Sequence, residues 1–331
     1  MYHVKHKIMN YVGIDISKLT FDVAIEKDGS YRYYKFSNNL EGFKHLVSVL
    51  EDGIEWWCVM EASGPYYLKL ACYLENSGIA LSVINPLVIR RFCQMRLMKA
   101  KTDKKDAAMI AEYGKTEKPQ AWQSEATYIQ QLRQMHAHVE QLDKGRTGFI
   151  RQLEAFKQNP AISKDVERSI AKSIKFIEAQ ISDIEKKMEA IVKAYHPQLH
   201  SQLQSIPGIG RKTSMMLIVV SGGFKKFSNS KQLSSYVGLS PRIYESGTSV
   251  KGKVRICKMG MSRVRAMLYI CSWSAVKYNS SCKNMYDRMV AKGKPKMVAL
   301  IAVANKLLKQ CFALATNHTI YEKNYLPKAC F

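Results

Sequence analysis

Four acidic side chains stand along the first part of the chain in positions that suit metal-dependent chemistry. They are Asp15 in GIDIS, Glu61 at the end of IEWWCVME, and Asp103 with Asp106 in KTDKKDAAMIAEYG. Taken singly, an acid at a strand end or a helix start has an ordinary structural role as a cap or a paired charge. Taken together, two strand-end carboxylates and a D-x-x-D pair supply four hard oxygen ligands for Mg²⁺, with Mn²⁺ as an alternative. Two such ions would support transfer at a phosphodiester.

A second segment, YESGTSVKG at 244–252, places three hydroxyl side chains among glycines. A solvent loop has this composition, and so has a hydroxyl nucleophile in a phosphate-rich site. From chemistry alone, Ser246, Thr248 and Ser249 all remain open as the attacking group. Cations that follow the hydroxyls are candidates to neutralise phosphate charge: Lys251, Lys253, Arg255 and Lys258.

The elements that must position the acids are predicted from hydrophobic periodicity. YVGIDIS is a short apolar run, TFDVAIEKDG alternates, and YRYYKFSN pairs back as a hairpin. The predicted order β-β-β-α-β-α-β-α indicates a mixed sheet with helices on its faces, as in an RNase H-like (RuvC-like) nuclease core. Sugar kinases and actin-like ATPases share that core, but they follow the first aspartate with a glycine-rich loop. Here Asp15 is followed by Ile-Ser-Lys-Leu, which contains no glycine, so the sequence does not favour an ATPase. The fold alone does not decide the function.

A heptad pattern predicts a helical arm in the middle of the chain. Seven apolar residues step by four and three: Ile170, Ile174, Ile177, Ile181, Ile184, Met188 and Ile191. The preceding segment, 129–156, is also helical in pattern. Either an antiparallel hairpin within one chain or an oligomerising coiled coil, as a dimer or tetramer, accounts for the pattern.

The segment LQSIPGIGRKTSMMLI, at 203–218, has the pattern of a helix-hairpin-helix element. Gly208 and Gly210 would let a turn approach a phosphate closely, and the start of the next helix offers free N–H groups. Arg211 and Lys212 would add positive charge. The segment therefore predicts a grip on nucleic-acid backbone, with a plain turn between helices as the alternative.

The charge distribution favours a polyanionic partner. The 331 residues hold 51 Lys and Arg against 27 Asp and Glu, a formal net charge of +24. Residues 200–331 alone hold 22 Lys and Arg against three acids, which makes the last part the expected nucleic-acid surface. The eight cysteines form no CxxC pair, and no apolar run long enough for a membrane span is evident. We expect a soluble cytoplasmic protein without a membrane partner.

The ordered set of Asp15, Glu61, the D-x-x-D pair, the heptad arm, PGIG and Y-E-S-G-x-S resembles the DEDD transposases of the IS-one-ten family and related DNA invertases. The resemblance implies a RuvC-like domain in which Asp15, Glu61, Asp103 and Asp106 are catalytic and bind metal. It also implies that Ser246 is the nucleophile and that a structured bridge RNA pairs with target and donor DNA. Ser63 is a difference expected to touch none of the proposed ligands.

The resulting expectation is an α/β plus α protein in three parts. Residues 1–122 form the RuvC-like domain, 123–197 the coiled-coil arm, and 198–331 a basic, mostly helical domain with the helix-hairpin-helix element and the serine motif. The leading hypothesis is a DNA recombinase that inserts and excises a mobile element. A RuvC-like endonuclease that hydrolyses DNA with water, and a nucleic-acid-binding protein whose acids are structural, are the alternatives.

Overall fold

The computed structural model describes residues 9–27, 29–51, 53–98, 102–242, 245–246, 250–251, 255–257 and 259–323. By its internal contacts the chain divides into two compact units, 1–124 and 125–331. The segment predicted as an arm falls within the second unit, and the expected division into three parts stays a prediction.

The described residues of the first unit form a five-stranded mixed sheet and four helices. Its elements in chain order are β1 (Asn10–Ile16), β2 (Thr20–Lys27), β3 (Ser30–Ser37), α1 (Leu40–Val49), β4 (Trp56–Glu61), α2 (Leu68–Asn76), β5 (Ala80–Ile84), α3 (Pro86–Met95) and α4 (Asp103–Glu117). The strand order is β3-β2-β1-β4-β5. β1 pairs antiparallel with β2 and parallel with β4, and β5 continues the parallel side. The order and the mixed sheet match the sequence prediction and are compatible with an RNase H-like fold.

The alternation of side chains along the strands separates two faces of this sheet. On one face Val12, Ile14 and Met60 pack with Phe43 and Leu46 of α1 in a fully apolar core. The alternate residues of these strands, such as Gly13 and Asp15 of β1 and Val59 and Glu61 of β4, lie on the other face. Helix α4 packs on that face. Because side chains along a strand alternate between faces, the acidic residues of β1, β2 and β4 fall on the α4 face.

The second unit is helical with four very short strands. Its described elements are α5 (Thr127–Phe156), α6 (Lys164–Tyr195), α7 (Pro197–Gln204), α8 (Arg211–Ser221), α9 (Ser230–Val237), β6 (Pro241–Arg242), β7 (Glu245–Ser246), β8 (Val250–Lys251), β9 (Arg255–Ile256), α10 (Ser262–Tyr278), α11 (Ser280–Ala291) and α12 (Lys296–Asn317). β6 pairs with β9, and β7 pairs with β8.

α5 and α6 form an antiparallel hairpin within the chain. Lys157 and Glu167 form an ion pair (3.1 Å) near the turn. At the other end, the rings of Tyr128 and Tyr195 stack with their centroids 4.0 Å apart. The heptad residues Ile181 and Met188 are buried in the same core as the helices α7 to α12. The predicted antiparallel hairpin within one chain is therefore confirmed. Self-association of the chain stays a prediction.

α12 is the central helix of the second unit. Nine of its residues are buried, among them Val303, Leu307 and Cys311. It is also the one helix among the described residues whose length and composition would allow it to cross a membrane. A buried core helix of a soluble protein passes the same test, so the feature carries no membrane assignment.

Candidate active site

The two strand-end acids lie at the same edge of the sheet. Asp15 is the penultimate residue of β1 and Glu61 is the last residue of β4. These strands are parallel neighbours, with Ile14 directly opposite Met60. The register therefore places the two carboxylates side by side, and both project from the α4 face.

The D-x-x-D pair occupies the first turn of α4. Thr102 caps the helix by accepting a hydrogen bond from the backbone N–H of Lys105 at 3.3 Å. Asp103 and Asp106 follow this cap, where the positive end of the helix dipole stabilises negative charge. Both face the cleft that Asp15 and Glu61 line.

Gly13 allows α4 to lie directly on β1. A Cβ atom at this position would lie 1.9 Å from the carbonyl oxygen of Ala107 and 2.4 Å from the amide nitrogen of Ala111. These distances are impossible for a side chain, so only glycine permits the observed approach of helix to strand. Since Gly13 is two residues from Asp15 and Ala107 follows Asp106, the same approach brings these two carboxylates together.

The four predicted acids line one open cleft of about 770 Å³. The rest of the lining comes mainly from α3 and includes Arg90 and Ser63. Burial of the carboxyl group and the negative charges of Asp106, Glu61, Asp103 and Asp22 together raise the pKa of Asp15 from 3.8 to about 6. The structure thus joins the four acids, which come from three separate segments of the sequence, in one electrostatic group.

The side chains of this group suit a divalent cation. Among the described residues, no three His, Cys, Asp or Glu side chains are close enough together to hold a metal ion. The carboxylates nevertheless share one cleft, and burial together with the neighbouring negative charges raises the pKa of Asp15. A hard cation between the carboxylates would remove their mutual repulsion. The residues present therefore fit Mg²⁺ or Mn²⁺.

Two charged residues beside the cleft were not anticipated from the sequence. Asp22 of β2 lies directly opposite Asp15 in the antiparallel pair and adds to the negative charge around it. Lys35 of β3 lies 3.3 Å from a carboxylate oxygen of Asp22 and 4.0 Å from one of Asp103. The alternation of TFDVAIE places Asp22 on a polar face, but only the β1–β2 register identifies its neighbour.

The expectation for Ser63 was wrong. Its hydroxyl donates a hydrogen bond of 2.7 Å to a carboxylate oxygen of Glu61. A backbone bond from the N–H of Ser63 to the carbonyl of Glu61 holds the turn in which this occurs. Ser63 therefore orients a proposed ligand, because the chain turns back immediately after β4.

The predicted phosphate grip lies at the turn from α7 to α8 in the second unit. Gly208 has φ +107°, and a Cβ atom there would lie 2.9 Å from that of Ala275. A Cβ atom at Gly210, the residue before α8, would meet open space. Gly208 is thus explained by packing on α10, whereas Gly210 leaves the helix start accessible.

The two cations of this segment have partners within the unit. Arg211 pairs with Glu189 at 3.0 Å, and Lys212 pairs with Glu185 at 2.6 Å, both acids being on α6. A phosphate at the start of α8 would have to share these cations with the glutamates. Binding of nucleic acid by Gly208, Gly210, Arg211 and Lys212 stays a prediction.

The described residues of the serine motif form two short antiparallel strands in the second unit. Ser246 is the last residue of β7 and pairs with Val250 of β8, and Lys251 pairs with Glu245. Arg255 is an exposed residue of β9. Thr248, Ser249, Lys253 and Lys258 lie outside the described residues. Nothing in this geometry ranks the three hydroxyls, and the role of Ser246 stays a prediction.

Known proteins match this chain in both units. Residues 12–157 match the family model of the DEDD transposases of IS110, and residues 200–287 match the model described as "Transposase IS116/IS110/IS902 family". The pilin gene-inverting protein of Moraxella lacunata is 31% identical over 95% of this chain and 98% of its own length. The transposase for insertion sequence element IS1111A of Coxiella burnetii is 23% identical over 95% of this chain and 92% of its own length. The resemblance drawn from the motifs is thereby confirmed: the chain belongs to the IS110 family of transposases.

Proposed function

We propose that this chain is a DNA recombinase that inserts and excises a mobile element with the carboxylate cleft and Ser246 as its reacting groups. The observation that carries the proposal is the convergence of Asp15, Glu61, Asp103 and Asp106 on one cleft. The raised pKa of Asp15 supports it, since a group of like charges at a sheet edge is costly unless it binds a cation.

In this mechanism the four carboxylates would hold Mg²⁺, at two sites, or Mn²⁺, and the cation would supply charge neutralisation at the phosphate under attack. The Ser246 hydroxyl gives its proton to water and attacks phosphorus, so that a serine–phosphate bond forms while one phosphate–sugar bond breaks, and the departing sugar oxygen takes up a proton to become a free hydroxyl. The energy of the phosphate ester bond is conserved in the phosphoserine. The free sugar hydroxyl of the partner strand can then attack the phosphoserine, which joins the two strands and releases Ser246. Arg90 and the cations after Ser246 neutralise phosphate charge.

The partners proposed for this reaction are donor and target DNA and a structured bridge RNA that pairs with both. The family resemblance supports the bridge RNA, and the 22 Lys and Arg of residues 200–331 support contact with polyanions in general. We further propose that a homo-oligomer, dimer or tetramer, is the working unit in the cytoplasm. Acids and serine of one reaction centre would then come from different protomers.

The role of the acids is tested with Asp106→Asn in a plasmid recombination assay that contains the element's ends and its non-coding RNA. We expect a loss of at least a hundredfold in recombination, since a ligand in the first turn of α4 is removed, while DNA binding is retained. Asp165→Asn is the matched control, because Asp165 also lies in the first turn of a helix and its side chain is 92% exposed. Full recombination by Asp106→Asn would refute the proposed role.

A hydrolytic endonuclease is the second candidate function. The carboxylate cleft favours it, because such a cleft can cleave DNA with water and needs no serine. Treatment of cleaving reactions with denaturant separates the two: the recombinase leaves protein covalently attached to DNA, and the nuclease leaves free ends. A purely structural role of the acids predicts instead that Asp15→Asn retains all activity.

A further inference from the structure

The edge strand β3 carries aromatic and basic side chains on the same face of the sheet as the carboxylate cleft. Tyr33 and Lys35 lie opposite Ala24 and Asp22 of β2, and Asp22 lies opposite Asp15 of β1. Strand alternation therefore puts Tyr31, Tyr33 and Lys35 on the α4 face. We call these three residues, together with Lys104 of α4, the β3 stripe.

Tyr33, Lys35 and Lys104 of the β3 stripe are exposed, Tyr31 is half-buried, and the four side chains lie close to one another. The rings of Tyr31 and Tyr33 have their centroids 6.4 Å apart. The ammonium group of Lys104 lies 5.9 Å from the centroid of the Tyr33 ring. Tyr33 is 42% exposed, and the Lys35 side chain is 57% exposed. Lysines on an edge strand discourage pairing with other strands, but that role does not require an exposed tyrosine ring, that of Tyr33, beside them.

Rings flanked by lysines are the chemistry that binds unpaired nucleic acid. Bases stack on aromatic rings without regard to sequence, and neighbouring cations hold the phosphates. Stacking of this kind requires an unpaired base, because the bases of a duplex already stack on each other. The β3 stripe therefore fits a single strand better than a double helix.

The β3 stripe is continuous with the carboxylate cleft. A groove of about 550 Å³ is lined by Tyr33, Lys35 and Lys104 and also by Asp103, which lines the carboxylate cleft as well. Lys35 spans the junction, since it lies between Asp22 and Asp103. A strand that follows the β3 stripe thus arrives at the acids.

We propose that the β3 stripe binds a single strand of DNA and leads its phosphate backbone into the carboxylate cleft. The inference rests on the proposed function, because DNA is favoured over RNA only if the carboxylate cleft acts on DNA phosphates. Tyr33 stacks on a base, and Lys104 and Lys35 contact phosphates on either side. All of these residues belong to the first unit.

Photo-crosslinking of the full chain to a 15-nucleotide single-stranded DNA that carries 5-iodouracil tests the proposal. Mass spectrometry of the digested product should find crosslinks within residues 30–36. Tyr33→Leu should lower the yield there about fivefold to hundredfold, the range expected for loss of one stacking ring. Tyr33→Phe keeps the ring and should crosslink like the unaltered chain, which separates stacking from a folding defect.

Charge is tested in the same experiment with a matched pair of variants. Lys104→Glu should reduce crosslinking at β3, whereas Lys44→Glu should not, because Lys44 is an exposed residue of α1 on the opposite face of the sheet. Equal effects of the two variants, or crosslinks confined to the second unit, would overturn the proposal. Crosslinking at β3 by an RNA of the same sequence, with none by DNA, would also overturn it. The readout needs no catalysis, so failure of the proposed function appears separately in the Asp106→Asn assay.

Discussion

Asp15 links the electrostatics of the first unit to its proposed chemistry. Its carboxyl group has a pKa of about 6 because it is partly buried beside the negative charges of Asp106, Glu61 and Asp103. In an unfolded chain the same group would titrate near 3.8. The folded state therefore holds this proton more tightly, and stability falls as the pH rises from about 4 through about 6.

Asp15→Asn should remove the loss of stability that ionisation of Asp15 causes at high pH. At pH 8 without divalent cation, we expect the variant to melt above the unaltered chain, and the difference should vanish towards pH 4. The shift of about two pKa units corresponds to about 3 kcal/mol at most, and solvent screening reduces this to the order of 1–2 kcal/mol. Tryptophan fluorescence can follow the melting, since Trp56, Trp57 and Trp122 all belong to the first unit.

Magnesium gives the companion measurement for Asp15. Mg²⁺ at pH 8 should raise the melting temperature of the unaltered chain, since it neutralises the clustered carboxylates, and should raise that of Asp15→Asn less. Melting curves that stay parallel for the two proteins across pH and Mg²⁺ concentration would show that Asp15 is not part of a cation site.

The four acids could be predicted as one group from the sequence, but their neighbours could not. Asp15 and Glu61 end apolar segments, and this is visible without a structure. Asp22 lies seven residues from Asp15 in sequence and becomes its neighbour only through the hairpin register. Ser63 contacts Glu61 because of the turn after β4, and periodicity contains no information on such a turn.

At the scale of elements, the packing of α4 on β1 determines the geometry of the cleft. Gly13 permits backbone contact with Ala107 and Ala111, and Gly114, further along α4, lies where a Cβ atom would be 2.6 Å from the Val59 side chain. The helix is thus held against the two central strands at two points. Its first turn, with Asp103 and Asp106, is fixed in consequence.

Gly13→Ala should separate α4 from the sheet. The added methyl group would overlap backbone atoms that have no room to move, so we expect the first unit to lose about 3 kcal/mol of unfolding free energy or more. Hydrogen exchange of the α4 amides should accelerate, and stabilisation by Mg²⁺ should weaken. Unchanged α4 protection in this variant would contradict the account of the packing.

The matched control for this substitution is Gly145→Ala. Gly145 lies within α5, and a Cβ atom there meets nothing within 4 Å. The control should be neutral or stabilising by up to about 1 kcal/mol, because alanine favours the helix.

Heptad spacing predicted α6 correctly but left its partner open. The seam of isoleucines is satisfied by α5 and by the helices of the second unit. A seam of this kind has the same sequence pattern whether its partner belongs to the same chain or to another one. The ion pairs of Arg211 and Lys212 with α6 could likewise not be predicted from the sequence, since Glu189 lies 22 residues before Arg211.

At the scale of the whole molecule, acidic and basic functions are separated along the chain. The carboxylate group lies in the unit 1–124, and the strongly basic residues 200–331 belong to the unit 125–331 together with Ser246. A strand-transfer enzyme needs both a cation site and a surface that tolerates dense phosphate charge. Membership of the IS110 transposase family is consistent with this division.

The central claim, that Ser246 attacks DNA with the help of the carboxylate cleft, is tested most directly by the covalent intermediate. Reactions of the full chain with its RNA, donor DNA and Mg²⁺ are stopped with denaturant, digested and examined by mass spectrometry for a nucleotide-bearing peptide. We expect the adduct on Ser246, its loss in Ser246→Ala and in Asp106→Asn, and its retention in Asp165→Asn. An adduct on Ser249 or Thr248, or DNA cleavage without any adduct, would contradict the account.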